Sequence, residues 1–252
     1  MNRFFVSKDS IKGDMVRISG QDYNHISHSL RLQPGDKIIV CYGDGNDYLV
    51  KLTEFQNESE IVTGKIIEKK PNQNEPEVKI TLAQAIPKNK NMELVAEKCT
   101  ELGFQSLIPL TTKRTIVKLS GKKKQKRINR WQRIVNEAAK QSQRGIIPDV
   151  KDIHSIENIS KMKQDYDLII IFWTGENNNN LTDIFNNINK NDIENILIVI
   201  GPEGGFTKSE VNLIKNKADG YSTNLGPRIL RTETAGLAAL SIILYEFGEV
   251  GS

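Results

Sequence analysis

From Met15 to Glu68 the chain alternates apolar and polar positions in short runs, the period of half-buried strands. The stretches MVRIS, KIIVCYG, DYLVKLTEF and EIVTGKIIE carry it, and YGDGNDY and QPGD supply turn residues between them. QDYNHISHSLRL reads as a short helix inserted among the strands. Residues 1–70 therefore predict a small β-barrel-like module. KKPNQNEPE, Lys69 to Glu77, has two prolines and no apolar residue. It predicts a linker over residues 71–76 and a second domain over 77–252.

Beyond that boundary the pattern changes to strands alternating with helices, the mark of an α/β domain. VKITLAQAI, FQSLIPL, DLIIIFW and ENILIVI are strand candidates. The last two are unbroken apolar runs, as expected of parallel strands covered on both faces. NKNMELVAEKCTELG places Met92, Val95, Ala96, Cys99 and Leu102 on one helical face, and Gly103 suits its C-terminal cap. KQKRINRWQRIVNEAAKQSQR repeats Ile128, Trp131, Ile134, Val135, Ala138 and Ala139 at helical spacing. NNNNLTDIFNNINKND reads as a solvated loop around a short helix.

Composition adds little constraint. The 252 residues hold 35 Lys and Arg against 31 Asp and Glu, a net charge of +4. That excess permits a polyanionic partner without demanding one. The two cysteines form no CxxC or Cys/His cluster, so no metal and no disulfide framework are expected. No signal segment is expected, since the first residues show no basic-then-apolar pattern. The longest apolar stretch, Ala235 to Tyr245, falls short of the ~20 residues that span a bilayer. A cytoplasmic protein without membrane contact is expected.

The candidate chemistry lies in VIGPEGGFTKSE, Val199 to Glu210. An apolar strand ends in a glycine-rich turn, and Thr207 with Glu210 makes a capping box for a helix starting near Lys208. Glycines at such a strand end let a ligand approach the backbone closely, where α/β folds keep their ligand crevice. The loop lacks the Gly-Lys-Ser/Thr of a phosphate loop and the G-x-G-x-x-G spacing. Pro202 removes a donor and Glu203 repels phosphate, so a nucleoside-type ligand without phosphate fits better. NLGPRILRTETAGLAALSIILYEF, Asn224 to Phe247, repeats the design. A short strand is expected to end at Leu225, followed by Gly226-Pro227, then Arg228 and Arg231, read as buried. Pairing of these arginines with Glu203 and Glu233 is the plain structural alternative. The helix from about Thr232 is apolar nearly all round, hence buried, with a subunit interface as one possible cover.

IGPEGGFT followed by LGPRILRTETA resembles the SPOUT-class methyltransferases. More narrowly it is similar to the RsmE family, which methylates N3 of a uridine in small-subunit ribosomal RNA. RFFV, HISHSLRLQPGD, EKCTELG and RWQRIVNEAAKQSQR stand in that family's order. The resemblance spans the whole chain. It implies a trefoil-knotted α/β methyltransferase domain, a PUA-like N-terminal RNA-binding domain, a homodimer and S-adenosyl-L-methionine as cofactor. The implied cofactor residues are Phe172, Thr174, Glu176, Ile200, Gly201, Gly204, Gly205, Leu225, Gly226, Ile229 and Leu230. FWTGE departs from the proline-containing turn of relatives. Arg228 is expected to stabilise or orient the uracil, and Glu203 to act as base or to anchor its loop. The RNA contacts expected are Arg3, His25, Arg31, Arg130, Arg133, Gln141 and Arg144, with the basic GKKKQKR as a further phosphate contact. A methyltransferase acting on a ribose 2′-hydroxyl or another base, and a non-catalytic ribosome-assembly protein, are the alternatives.

Overall fold

In the computed structural model, which describes residues 1–175 and 179–251, the period-two segments of the N-terminal part fold into one six-stranded sheet. Its strands are β1 (Arg3–Phe5), β2 (Ile11–Lys12), β3 (Met15–Ser19), β4 (Lys37–Cys41), β5 (Asn46–Gln56) and β6 (Ile61–Pro71). Their order is β1-β4-β5-β6-β3-β2, antiparallel except for the β1–β4 pair. The alternation puts Val16, Ile18, Val50 and Leu52 into a core with Phe4, Tyr23 and Ile26. The helix read in QDYNHISHSLRL is a single turn, α1 (Gln21–Asn24), continuing as a π-turn over His25–Ser29.

This first unit comprises Met1–Glu75 together with Ala139–Ile147; Pro76–Ala138 and Pro148–Ser252 form the second. Nothing in the pattern anticipates the return of 139–147. The cause is a buried charge pair. Both oxygens of Glu75 accept from Arg144, from Nε at 3.2 Å and from Nη2 at 2.6 Å. Oε1 also accepts the backbone N–H groups of Gly145 and Ile146. The Arg144 side chain is 2% exposed.

At the β4–β5 turn, burial works against the Asp44 carboxylate, but hydrogen bonds led by Tyr48 and Asn46 outweigh it and hold the group at about 2 instead of 3.8. Asp47, bonded to Arg3 and Asn72, is likewise lowered. A depressed folded-state pKa contributes stability above the unfolded value that disappears as pH falls through the folded one. The first unit is therefore expected to lose stability between pH 3.8 and about 2, and Asp44→Asn to flatten that loss. Unfolding followed by Tyr48 environment against pH checks this; an unchanged slope in the variant refutes it.

The second unit is built on parallel strands: β7 (Lys79–Ala85), β8 (Ser106–Thr111), β9 (Asp149–Val150), β10 (His154–Ser155), β11 (Leu168–Phe172), β12 (Asn195–Ile200) and β13 (Tyr221–Thr223). The sheet order is β10-β8-β7-β12-β11-β13, with β9 also on β8. All five residues of β11, and five of the six in each of β12 and β8, are buried, as covered parallel strands require. The helices are α2 (Asn91–Leu102), α3 (Gly121–Gln141), α4 (Ile156–Ile159), α5 (Leu181–Asn186), α6 (Lys208–Lys217) and α7 (Thr232–Glu246). Gly103 caps α2 at φ +111°. Thr207 and Glu210 make the expected reciprocal capping box on α6.

Two boundaries differ from the pattern. The short strand before the second glycine bend ends at Thr223, not Leu225. Helix α3 stops at Gln141, because Gln143 turns into the left-handed region at φ 60°. The Arg144 N–H then reaches back to the Ala139 carbonyl at 3.0 Å, the C-terminal closure expected of such a turn. Arg144, the last residue of the stretch read as helical, thus lies outside the helix.

Candidate active site

β11, β12 and β13 are adjacent, with Phe172 opposite both Ile200 and Thr223, so their loops leave the same edge of the sheet. Gln84 near the end of β7 is opposite Ile200 as well. Here lies a cleft of about 610 Å³, within the size range of small-ligand sites. Phe172, Thr174, Ile200, Gly201, Glu203, Gly204 and Gly205 line one part, and Ile229 and Leu230 another. The first glycine bend is tied to the start of α7, just beyond the second: the Thr232 hydroxyl donates to the Gly201 carbonyl at 2.5 Å.

The Gly201–Gly205 loop is a tight turn, its Gly205 N–H donating to the Pro202 carbonyl at 2.7 Å. Gly205 sits at φ +66°, which L side chains rarely adopt, and a Cβ there would enter open space. At Gly201 a Cβ would lie 3.0 Å from the Phe206 ring. The loop is thus glycine-rich for two reasons, backbone conformation and close packing. Ile229 is 91% exposed on the rim, an apolar side chain whose burial against a ligand would be worth about 1.5–3 kcal/mol.

Other expected residues fall elsewhere. Leu225 and Gly226 line a separate hollow with Asn180, Thr223 and Ile242. Arg228 is exposed and lines neither cavity. Arg231 lines the cleft and is exposed too, which corrects the expectation of buried arginines. Neither arginine is in an ion pair with Glu203 or Glu233. The Glu203 Oε1 instead accepts the Lys88 backbone N–H at 2.8 Å, and Glu233 accepts from Asn91 Nδ2. This contact ties the Glu203 side chain to the segment after β7. Glu176 lies outside the described residues.

Among the expected RNA contacts, His25, Arg31, Arg133 and Gln141 are exposed. Arg130 is half-exposed and bonded to Glu93 at 2.8 Å. Arg3 is held by both oxygens of Asp47, and Arg144 by Glu75, so each guanidinium is already engaged by a carboxylate. Pairing had no sequence signal, since Asp47 and Glu75 are 44 and 69 positions away.

Sequence reasoning missed the residues that hold the cleft from outside the glycine motifs. Lys88, Asn89 and Asn91 line it from the segment after β7. Arg114 Nη1 donates to the Gly204 carbonyl at 2.7 Å. The signal available was TTKRT, a polar turn directly after an apolar strand. Among the described residues no cluster of three His, Cys, Asp or Glu could hold a metal, and no helix is long and apolar enough to cross a membrane.

A glycine-lined cleft at the carboxyl edge of a parallel sheet defines an α/β protein with a cleft where such folds keep their ligand site. A family model described as an RNA methyltransferase domain matches residues 74–244, and one described as an RNA methyltransferase PUA domain matches 18–66. The chain belongs to this RNA methyltransferase family. It is 36% identical over 98% of its length to the ribosomal RNA small subunit methyltransferase E of Bacillus subtilis, covering 97% of that protein. The Synechocystis protein of the same name is 33% identical over 96% of this chain and 76% of its own length. The Neisseria gonorrhoeae ribosomal RNA small subunit methyltransferase E, a crystal structure bound to S-adenosyl methionine, superimposes with a TM-score of 0.82 at 29% identity, covering 97% of each chain.

Proposed function

We propose that this chain methylates N3 of a uridine in small-subunit ribosomal RNA, using S-adenosyl-L-methionine bound in the glycine-lined cleft. The single observation that carries the reading is that Ile229, Leu230 and Thr232, which follow the second bend, line one cleft with the Gly201–Gly205 loop, Thr232 bonded to Gly201. A relative of the same architecture holds S-adenosyl methionine, and relatives are named for small-subunit ribosomal RNA. The residues present suit that group: small, apolar and main-chain groups fit an adenosine, and no phosphate-binding lysine loop is needed.

When bound, the cofactor supplies an electrophilic methyl. The chain's own work is to position it and the base, and placing two reactants in line can account for about 7–11 kcal/mol of a barrier. Uridine N3 must lose its proton. A cation facing the uracil oxygens lowers the cost of the resulting negative charge. Arg228, exposed between the two cavities' linings, is assigned this role, with Glu203 fixing the loop through Lys88. His25, Arg31, Arg130, Arg133 and Gln141 are assigned to RNA, and Leu225 and Gly226 to the cofactor's far end. The same reading takes the second unit as trefoil-knotted and the enzyme as a cytoplasmic homodimer. Ile242 and Tyr245, 40% and 67% exposed on the otherwise apolar α7, are the natural surface for the partner.

Mass mapping of RNA methylated by the purified protein tests the reaction. A base methyl at uridine N3 is expected; a ribose methyl would favour the 2′-hydroxyl alternative, and no cofactor binding at millimolar concentration the non-catalytic one. Gly205→Ala, at a strain cost of about 1–2 kcal/mol, is expected to weaken cofactor binding roughly tenfold by filling the open side of the turn. Calorimetry showing wild-type affinity would displace the cofactor from this loop.

A further inference from the structure

Gln84 is fully buried on a strand whose neighbours Leu82, Ala83 and Ala85 are apolar. A buried amide is costly unless its polar atoms are used. Its Nε2 donates to Thr232 Oγ1 at 2.8 Å and to the Ala85 carbonyl at 3.2 Å. Thr232, itself buried, passes its only hydroxyl proton to the Gly201 carbonyl at 2.5 Å. The order is fixed: with that proton given away, the hydroxyl can only accept, so the amide nitrogen must face it. Gln84 Oε1 is left buried without a partner.

Gly236 supplies an independent observation. It lies inside α7, where glycine costs about 1 kcal/mol relative to alanine. A Cβ there would come within 2.7 Å of Gln84 Oε1. The helix therefore leaves out a methyl at the place the amide occupies.

The far end of this chain of bonds is the peptide between Gly201 and Pro202. Proline has no N–H, so the Gly201 carbonyl is the only hydrogen-bonding handle on that peptide plane. Holding it sets the direction in which the rest of the loop presents its main chain to the cleft. Arg114 on the Gly204 carbonyl and Glu203 on the Lys88 N–H hold the loop from its outer side.

We propose that Gln84 and Thr232 are positioning residues that fix the Gly201–Pro202 peptide from inside the core, so that cofactor affinity depends on the Thr232 hydroxyl and not on its bulk. The proposal rests on the cleft being the S-adenosylmethionine site. Neither side chain is assigned to chemistry. Gln84 does not line the cleft and acts through the loop; Thr232 lines it as well, and its hydroxyl acts through the Gly201 carbonyl it holds, which the exchange readout reports.

The test compares Thr232→Val, which keeps the shape and removes the hydroxyl, with Thr232→Ser, which keeps the hydroxyl and removes a methyl. In the full chain, Thr232→Val is expected to bind S-adenosylmethionine about tenfold more weakly, and to exchange the amide hydrogens of residues 201 and 203–206 about tenfold faster, the size of one lost hydrogen bond. Thr232→Ser should stay within about twofold of wild type on both measures, even if its melting temperature falls. Gln84→Met breaks the same tie from the other end and should shift both readouts in the direction of Thr232→Val. Equal behaviour of the valine and serine variants would overturn the relay. Wild type that binds no cofactor would overturn the cofactor reading, while the exchange contrast still judges the relay.

Discussion

Arg228→Ala is expected to lower single-turnover methylation about 10²–10³-fold, the usual cost of removing one group that stabilises developing charge. Cofactor affinity should change little, because Arg228 lines neither cavity and is exposed. The two measurements together separate charge stabilisation from binding. Arg228→Lys should recover part of the rate only, since an ammonium keeps the charge and loses the planar fork that can bridge two acceptors. The check is single-turnover kinetics with RNA or ribosomal particles beside calorimetry with cofactor. A wild-type rate in the alanine variant would remove Arg228 from the mechanism. Arg231 and Lys88, which line the cleft, would then be the cations to test.

Glu75→Ala is expected to destabilise the protein by about 3–5 kcal/mol, the range for breaking a buried ion pair from one side. The glutamate receives two guanidinium N–H groups and two backbone N–H groups. Its loss takes the counter-charge from Arg144 and leaves the Gly145 and Ile146 amides without their acceptor. Glu75→Gln keeps an acceptor and drops the charge, so it should cost less. Urea unfolding gives the comparison; a change below about 1 kcal/mol would mean that water reaches the pair. Because residues 139–147 close on this carboxylate, their backbone amides should also lose protection against exchange.

Much of the chain's local structure is legible from side-chain pattern alone. Period-two alternation fixes the burial of Val16 and Ile18, and the apolar runs fix β11 and β12 as covered strands, because these signals arise from neighbours in sequence. Gly103 and the Thr207–Glu210 pair mark helix ends for the same reason: the orphan groups they satisfy lie within a turn. The glycine bends were visible as motifs, and Gly201, Gly204, Gly205, Ile229 and Leu230 do line one cleft. Their assignment to a cofactor came from resemblance.

Where charges go was not legible. Arg3, Arg31, Arg133 and Arg144 look alike as letters. Asp47, on β5, reaches Arg3 only after β1 and β5 have both paired with β4, and Glu75 meets Arg144 only after α3 has turned at Gln143. Arg228 and Arg231, read as buried beside a glycine turn, are both exposed.

The sequence by itself determined the elements, their caps and the two places where the backbone could be approached, since each depends on contacts within a few residues. Only the tertiary structure decided which of those places share a cleft, that Lys88 and Arg114 brace it, and that a glutamine buried in β7 reaches Gly201 through Thr232. Those contacts join positions from 31 to 148 residues apart. Parallel strand order sets such distances, and no local pattern encodes it.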